Sequence, residues 1–248
     1  MSLKPYSIVT PKFQVTSGGI RVMWGLYGWL LAKGQIAYVN AKYENPNFVA
    51  VYPEIVKGNP TEAKTVVRYI LAPPGEMMGS IDKPEEGDIV YSFSKFIYKV
   101  DDDHTMFLPI LNTHLFKDQK RKRTKTCVIV GKGIDTNLHP DNAIYIDRIL
   151  AQDQQALADL LNECHIMYCY DYRTAMTEIA RLCGCRVVII PSKFTKEEFA
   201  EYEPGMNGIS WGDKEEVKLD TEAFRDHYKG LIKTFSKKLD LFIGETQK

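Results

Sequence analysis

The sequence predicts an α/β protein made of two small parallel-sheet domains and a C-terminal helix. Three observations point there. The run FVAVY at 48–52 has the unbroken hydrophobicity of a strand covered on both faces, and short strand candidates such as 166–170 and 186–190 recur along the chain. Segments with apolar residues at three- and four-residue spacing fall between such runs, an alternation that builds parallel sheets with crossover helices. The basic run KDQKRKRTK at 117–125 interrupts that alternation and sets a boundary near residue 115, so the expected domains are 1–115 and 116–248.

The first block opens with a short strand at 7–10. Gly18-Gly19 then leads into an apolar stretch at 20–33 that reads as a helix, with Gly34 placed to stop it. Strands are expected at 35–39 and 48–52. Asn59, Pro60 and Glu62 form the start signal of a helix. That helix is expected to run through Val66, Val67, Tyr69, Ile70 and Leu71 until Pro73-Pro74-Gly75 ends it. Further strands are expected at 89–93, 96–100 and 106–111.

The second block opens with a strand at 126–130 and its exit turn, Gly131-Lys132-Gly133. Residues 143–146 read as a strand and 153–162 as a helix with Ala156, Leu157, Leu160 and Leu161 on one side. Strands at 166–170 and 186–190 flank a helix that starts near Thr174. From 220 to about 243, Phe224, Tyr228, Leu231, Ile232, Phe235 and Leu239 recur at helical spacing.

Composition removes several classes of function. Lys plus Arg number 32 and Asp plus Glu number 32, so the formal charge is zero and there is no global electrostatic case for nucleic acid. The basic run reads as a solvated linker or strand edge, with a polyphosphate or anionic-membrane contact as the sharper alternative. Cys127, Cys164, Cys169, Cys183 and Cys185 lie without zinc-ligand spacing, and buried free thiols are expected. No apolar run reaches the ~18 residues of a membrane span. A cytoplasmic protein is expected, and a peripheral contact at the inner face of the membrane is compatible with it.

The stretch YCYDYRTAMTEIARLCGCRVVIIP at 168–191 puts Tyr170, Asp171, Tyr172, Arg173 and Thr174 into a turn between two buried elements. Right-handed crossovers place that turn at the carboxyl edge of the sheet, where open α/β sheets bind ligands. Backbone N–H groups at the start of the following helix suit phosphate. Thr174 either caps the helix or bonds a phosphate oxygen, and Arg173 can add a charge-assisted bond. Asp171 is a cap or a ligand contact, and the tyrosines either stack on a base or sugar or pack inward. Glu178, about one turn into the helix, is within reach of a ribose or sugar hydroxyl. Lys132, between two glycines at the same edge, is the best candidate for a diphosphate-binding lysine. Glu54 follows a buried strand in the first block. It acts either as a general base for an acceptor hydroxyl or as an acceptor for nearby backbone N–H groups.

The run YDYRTAMTEIARLCGCRVVIIP resembles the donor-binding stretch of GT-B glycosyltransferases, whose C-terminal domains carry a loop and helix ending in an E-A-x-x-x-G-x-P-V-V pattern. TSGGIRVMWGLYGWLLAKG at 16–34 is similar to their first helix, entered through a glycine pair. VYPEIVKGNPTEAKTVVRYILAPPG at 51–75 is similar to a form found in bacterial surface-polysaccharide glycosyltransferases, those of capsule and O-antigen. The resemblance implies two small Rossmann-like domains facing a cleft. The C-terminal domain would hold a UDP-, GDP- or TDP-sugar, and the N-terminal one a glycan or lipid-linked glycan acceptor. It implies transfer without a metal or other cofactor, with helix dipoles and basic side chains meeting the charge of the departing diphosphate. On this reading Glu54 is catalytic, Lys132, Tyr170, Asp171, Arg173, Thr174 and Glu178 bind the donor, and the N–H groups of Gly18 and Gly19 approach the donor phosphate or the acceptor. Two positions depart from the pattern. Ile179 stands where the family's acid precedes the alanine, with Glu178 one place earlier, a shift of about 100° around a helix. Arg186 stands where proline is usual.

Asp101-Asp102-Asp103-His104 would be a D-x-D metal motif in a GT-A glycosyltransferase. Its place between FIYKV and MFLPI reads better as a hairpin tip. The five histidines show no ligand spacing, and His139-Pro140 reads as loop. The alternative function is a non-catalytic GT-B-like protein that binds a nucleotide-sugar or partners an active transferase.

Overall fold

The structure, a computed structural model, describes residues 3–171, 173–212 and 217–248. The chain forms two compact units: Met1–Ile110 with Leu231–Lys248, and Leu111–Gly230.

In the first unit the elements are β1 (Tyr6–Ile8), α1 (Gly18–Ala32), β2 (Ala37–Val39), β3 (Val49–Tyr52), β4 (Thr65–Ile70) and β5 (Ile89–Ser92). The strands are parallel, in the order β2-β1-β3-β4-β5. α1 starts where the Ser17 side chain accepts the Ile20 N–H. Its buried Val22, Met23, Leu26 and Leu30 recur at helical spacing and share one core with Tyr6, Ile8, Val49, Val51, Val67 and Tyr69. Phe235, Leu239 and Phe242 from the last helix complete that core. Burial of each such side chain contributes about 1.5–3 kcal/mol. The two-residue period sends Phe48, Ala50 and Tyr52 into a second cluster with Ala63.

The helix expected at 60–71 is strand β4. Val66 and Val67 are β-branched, and β4 pairs with β3 through Thr65–Arg68 and with β5 through Val67–Ile70. Asn59 shapes a loop instead of capping a helix. Its Oδ1 accepts the Ala63 N–H at 3.1 Å and its Nδ2 donates to the Ala63 carbonyl at 2.8 Å. Arg68, in mid-strand, is fully buried. It donates to Asp88 Oδ2 at 2.7 Å, to the Val56 carbonyl at 2.6 Å and to the Gly58 carbonyl. Its guanidinium lies 4.9 Å from the Tyr52 ring centre, so one side chain ties the β3–β4 loop to the sheet. The stretches 96–100 and 106–111, expected as strands, form none. A single isolated bridge joins Ser92 to Thr105 there.

The second unit contains β6 (Lys125–Ile129), β7 (Ile144–Tyr145), α2 (Arg148–Gln152), α3 (Gln154–Glu163), β8 (Cys164–Cys169), α4 (Met176–Leu182), β9 (Arg186–Ile189), α5 (Lys196–Ala200) and β10 (Ile209–Trp211). The helix α6 (Thr221–Thr246) follows, with residues 221–230 in this unit and the rest in the first. α2, α5 and β10 are not among the expected elements, although Thr195 and Glu198 form the capping box that starts α5. The parallel sheet has the order β10-β9-β8-β6-β7. Counted from each unit's own first strand, both sheets read 2-1-3-4-5. That is a doubly wound, Rossmann-like order whose switch point lies between the first and third strands. All five cysteines are buried free thiols, as expected.

The basic run is an ion-paired splice. Arg123 donates to the Leu161 and Cys164 carbonyls at 3.0 Å, to the Cys183 carbonyl at 2.7 Å and to Asp118 at 2.6 Å. Arg121 pairs with Asp159 at 2.7 Å, and Lys125 with Glu163 at 2.5 Å.

Candidate functional site

In the second unit the switch point lies between β6, which exits into Gly131-Lys132-Gly133, and β8, which exits into Tyr170-Asp171. The Asp171 carboxylate is buried and joins the two exits. Its Oδ2 accepts the Lys132 N–H at 3.1 Å and its Oδ1 accepts the Arg173 N–H at 3.0 Å. The glycines allow this closeness. A Cβ on Gly131 would fall 2.5 Å from Asp171 Oδ2, and one on Gly133 would fall 2.1 Å from the Tyr170 carbonyl oxygen. Gly131 also has a φ of +55°, a left-handed value that favours glycine. Lys132 is therefore the residue that can carry a side chain in this turn, and it is exposed.

The other expected residues fall as follows. Thr174 Oγ1 accepts the Met176 N–H at 3.3 Å, and the Thr174 carbonyl accepts a bond from Thr177 Oγ1 at 3.3 Å, so Thr174 shapes the entry to α4. Tyr172 lies outside the described residues. Tyr170 is buried; its oxygen accepts the Leu138 N–H at 2.7 Å and lies 2.9 Å from His139 Nδ1. Glu178 is buried inside the unit, where Tyr202 donates to its Oε1 at 3.3 Å. Arg181 lies one turn further along α4, fully buried, with its guanidinium 4.2 Å from the Phe224 ring centre. Burial pushes its pKa down to about 10, against the opposing pull of Glu178 and Tyr202. The structure thus gathers Gly131, Lys132, Gly133, Tyr170, Asp171 and Arg173 at one edge. Glu178 has its partners in the core. Sequence reasoning missed His139, for which no spacing signal exists.

In the first unit, Gly18 and Gly19 open α1. A Cβ on Gly18 would meet nothing within 4 Å, while one on Gly19 would lie 3.6 Å from Leu71 Cδ1. The Leu71 N–H donates to Glu54 Oε2 at 2.8 Å, and the Glu54 carbonyl accepts the Ile81 N–H at 2.8 Å. Leu71 thereby links the glycine pair to Glu54, whose carboxylate is buried. Thr10, just past β1, has its backbone clamped by Asn40 at 3.0 and 2.8 Å. Its buried hydroxyl has no partner among the described residues.

Asp101–His104 forms a turn, with its charges directed at neighbouring side chains. Asp101 Oδ1 lies 2.7 Å from His104 Nδ1, and His104 Nε2 lies 3.3 Å from Glu245 Oε2. Tyr91 donates to Glu245 at 2.7 Å, and Asp102 pairs with Lys95. Burial works against a charge on His104, but the hydrogen bonds and negative charges of Asp101 and Glu245 outweigh it and hold the imidazole pKa above its usual value. Among the described residues no group of three His, Cys, Asp or Glu side chains is placed to hold a metal ion. A surface hollow of about 470 Å³, lined by Tyr202, Glu203, Met206, Asn207, Phe224 and His227 among others, shares none of the carboxyl-edge residues. No helix among the described residues is long and apolar enough to cross a membrane.

No protein-family model matches the chain, and no curated protein matches it. Among solved structures, the spinosyn forosaminyltransferase SpnP is similar over 99% of this chain and 95% of its own, with 14% identity and a TM-score of 0.43. A glycosyltransferase of kitacinnamycin is similar over 95% of each chain, with 9% identity and a TM-score of 0.43. The spinosyn rhamnosyltransferase SpnG is similar over 99% of this chain and 96% of its own, with 11% identity and a TM-score of 0.38. At these values the likeness is one of general layout and says nothing of substrate or reaction.

Proposed function

We propose that the protein is a glycosyltransferase that moves a sugar from a nucleotide-sugar to a glycan or lipid-linked glycan acceptor. The observation that carries this reading is the switch point of the second unit. There a Gly-Lys-Gly turn rests on the buried Asp171 and presents the Lys132 side chain to solvent. Such a turn brings backbone and one ammonium group to a phosphate. The sequence resemblance of 168–191 to a donor-binding stretch supports the same place.

On this proposal the diphosphate of a UDP-, GDP- or TDP-sugar lies over Gly131–Gly133, with Lys132 and Arg173 meeting its charge. As the glycosidic bond to the diphosphate breaks, those cations stabilise the growing negative charge on the leaving group. This reading asks for no resident metal or other cofactor. The acceptor hydroxyl is assigned to the first unit, near Gly18, Gly19 and Glu54. The setting is cytoplasmic, with a lipid-linked acceptor met at the inner face of a membrane. A bacterial polysaccharide product follows from the resemblance of 51–75 alone.

One observation favours the second reading, a nucleotide-sugar-binding protein without turnover. Glu54, the candidate base, is buried and accepts the Leu71 N–H.

Thermal-shift titration with UDP, GDP, TDP and their sugars tests the proposal, since a ligand that binds only the folded state raises the melting temperature. Wild type should respond to one diphosphate and Lys132→Ala should not. Slow hydrolysis of the bound nucleotide-sugar separates an enzyme from a binding protein. No response to any of them would remove the donor site.

A further inference from the structure

The loop that carries Lys132 runs from β6 to β7; Val130 and Ala143 at its ends pack into the core of the second unit, but the apolar side chains in its middle do not hold it down. Ile134 is 82% exposed and Leu138 is 60% exposed. Its anchors are polar, and Tyr170 grips it at two points. Gly133 lies against the Tyr170 carbonyl, and the Tyr170 hydroxyl takes the Leu138 N–H at 2.7 Å and contacts His139 Nδ1 at 2.9 Å. His139 Nε2 lies 2.9 Å from the Tyr145 oxygen, and Tyr145 donates to Asp135 Oδ2 at 3.0 Å.

Hydrogen-bond directions follow from counting protons. The Tyr170 oxygen accepts from Leu138, and the one proton of this buried phenol needs an acceptor. His139 Nδ1 is the acceptor at hand. The imidazole proton then sits on Nε2 and goes to Tyr145, whose own proton goes to Asp135. The chain is complete and runs in one direction, from the buried Tyr170 to the partly exposed Asp135.

We infer that His139 is a positioning residue of the carboxyl-edge site. Held as the Nε2-protonated tautomer between Tyr170 and Tyr145, it fixes the loop that presents Gly131, Lys132 and Gly133. Its service to a ligand rests on the diphosphate site proposed above, but its hold on the loop does not. The aromatic rings of Tyr145, Tyr168 and Tyr170 around the imidazole, with centroids 5.3, 6.5 and 5.7 Å away, leave it little room to turn.

The test uses the full chain and two variants. His139→Ala removes both bonds, while His139→Asn places an amide oxygen where Nδ1 accepts. Long-range ¹⁵N–¹H correlation at neutral pH should show the Nε2–H tautomer in wild type. His139→Ala should speed amide exchange at Lys132, Gly133 and Leu138 and weaken calorimetric binding of UDP, GDP or TDP about tenfold. His139→Asn should recover most of both. An Nδ1-protonated imidazole, or unchanged loop exchange in His139→Ala, overturns the inference. So does equal diphosphate affinity in wild type and His139→Ala. If none of the three diphosphates binds wild type, the donor-site reading fails, and exchange alone decides whether His139 holds the loop.

Discussion

Replacing Asp171 with asparagine tests the joint between the two strand exits. The carboxylate takes two backbone N–H groups, from Lys132 at 3.1 Å and Arg173 at 3.0 Å. Asparagine keeps one acceptor oxygen and turns an NH₂ group toward the other donor. One bond to a charged acceptor, worth about 1.5–3 kcal/mol, is lost, and a partly buried N–H is left facing a donor, at a cost toward the low end of about 1–3 kcal/mol. These two effects overlap, so the expected loss is about 2–3 kcal/mol. At about 2–4 °C per kcal/mol for a chain of this size, the melting temperature should fall by roughly 4–12 °C. Calorimetry reads the fall, and hydrogen exchange should show Lys132 and Arg173 losing more protection than β9. A melting temperature within about 2 °C of wild type, with both amides still protected, would refute the joint.

Other perturbations separate the remaining roles. Glu54→Gln keeps an oxygen for the Leu71 N–H, so stability should change by less than about 1 kcal/mol. If Glu54 is the base, turnover should fall about 10²–10⁴-fold, and an unchanged rate would leave it a loop anchor. Arg68→Met takes the guanidinium from two loop carbonyls and from Asp88, which keeps the Glu85 N–H at 3.0 Å, and should cost about 3–5 kcal/mol by urea denaturation; a loss under about 1 kcal/mol would contradict that bonding. The raised folded pKa of His104 sets the sign of its pH dependence. Its stabilisation is complete below the unfolded value near 6.5 and is lost as pH rises through the higher folded value. Melting temperatures at about pH 5.5 and about pH 8.5 should therefore differ more in wild type than in His104→Gln, and equal differences would remove His104 from the account.

Elements whose stability is local were legible in the sequence. α1 carries its apolar spacing and its glycine stop, and α6 repeats apolar residues along its length. β3 is an unbroken apolar run, and β9 is one after Arg186. β4 reads as a helix because Asn59, Pro60 and Glu62 imitate a helix start. What decides that segment is non-local: neighbouring strands on both sides, and an acid and two carbonyls waiting for a buried guanidinium. The same holds at the site. Lys132 and Asp171 could each be placed at a strand exit from sequence, because strand ends and glycines are local signals. The bond between them spans 39 residues and leaves no mark in either segment. His139 lies in a loop, as its sequence context reads; its bonds to Tyr145 and Tyr170 leave no sequence signal, because those partners become neighbours only when the sheet forms.

The division of α6 has a consequence for how the protein is made. Phe235, Leu239 and Phe242 belong to the core of the first unit, yet they follow every residue of the second in the chain. During synthesis, the second unit can close while the first still lacks part of its covering. Translation at about 5–20 residues per second makes that interval about 7–26 s for residues 111–242. Throughout it, Val49, Val51, Val67 and Tyr69 remain without three of their core partners. The nascent first half is thus the segment a holding chaperone would have reason to grip, and the one most exposed to aggregation when translation stalls.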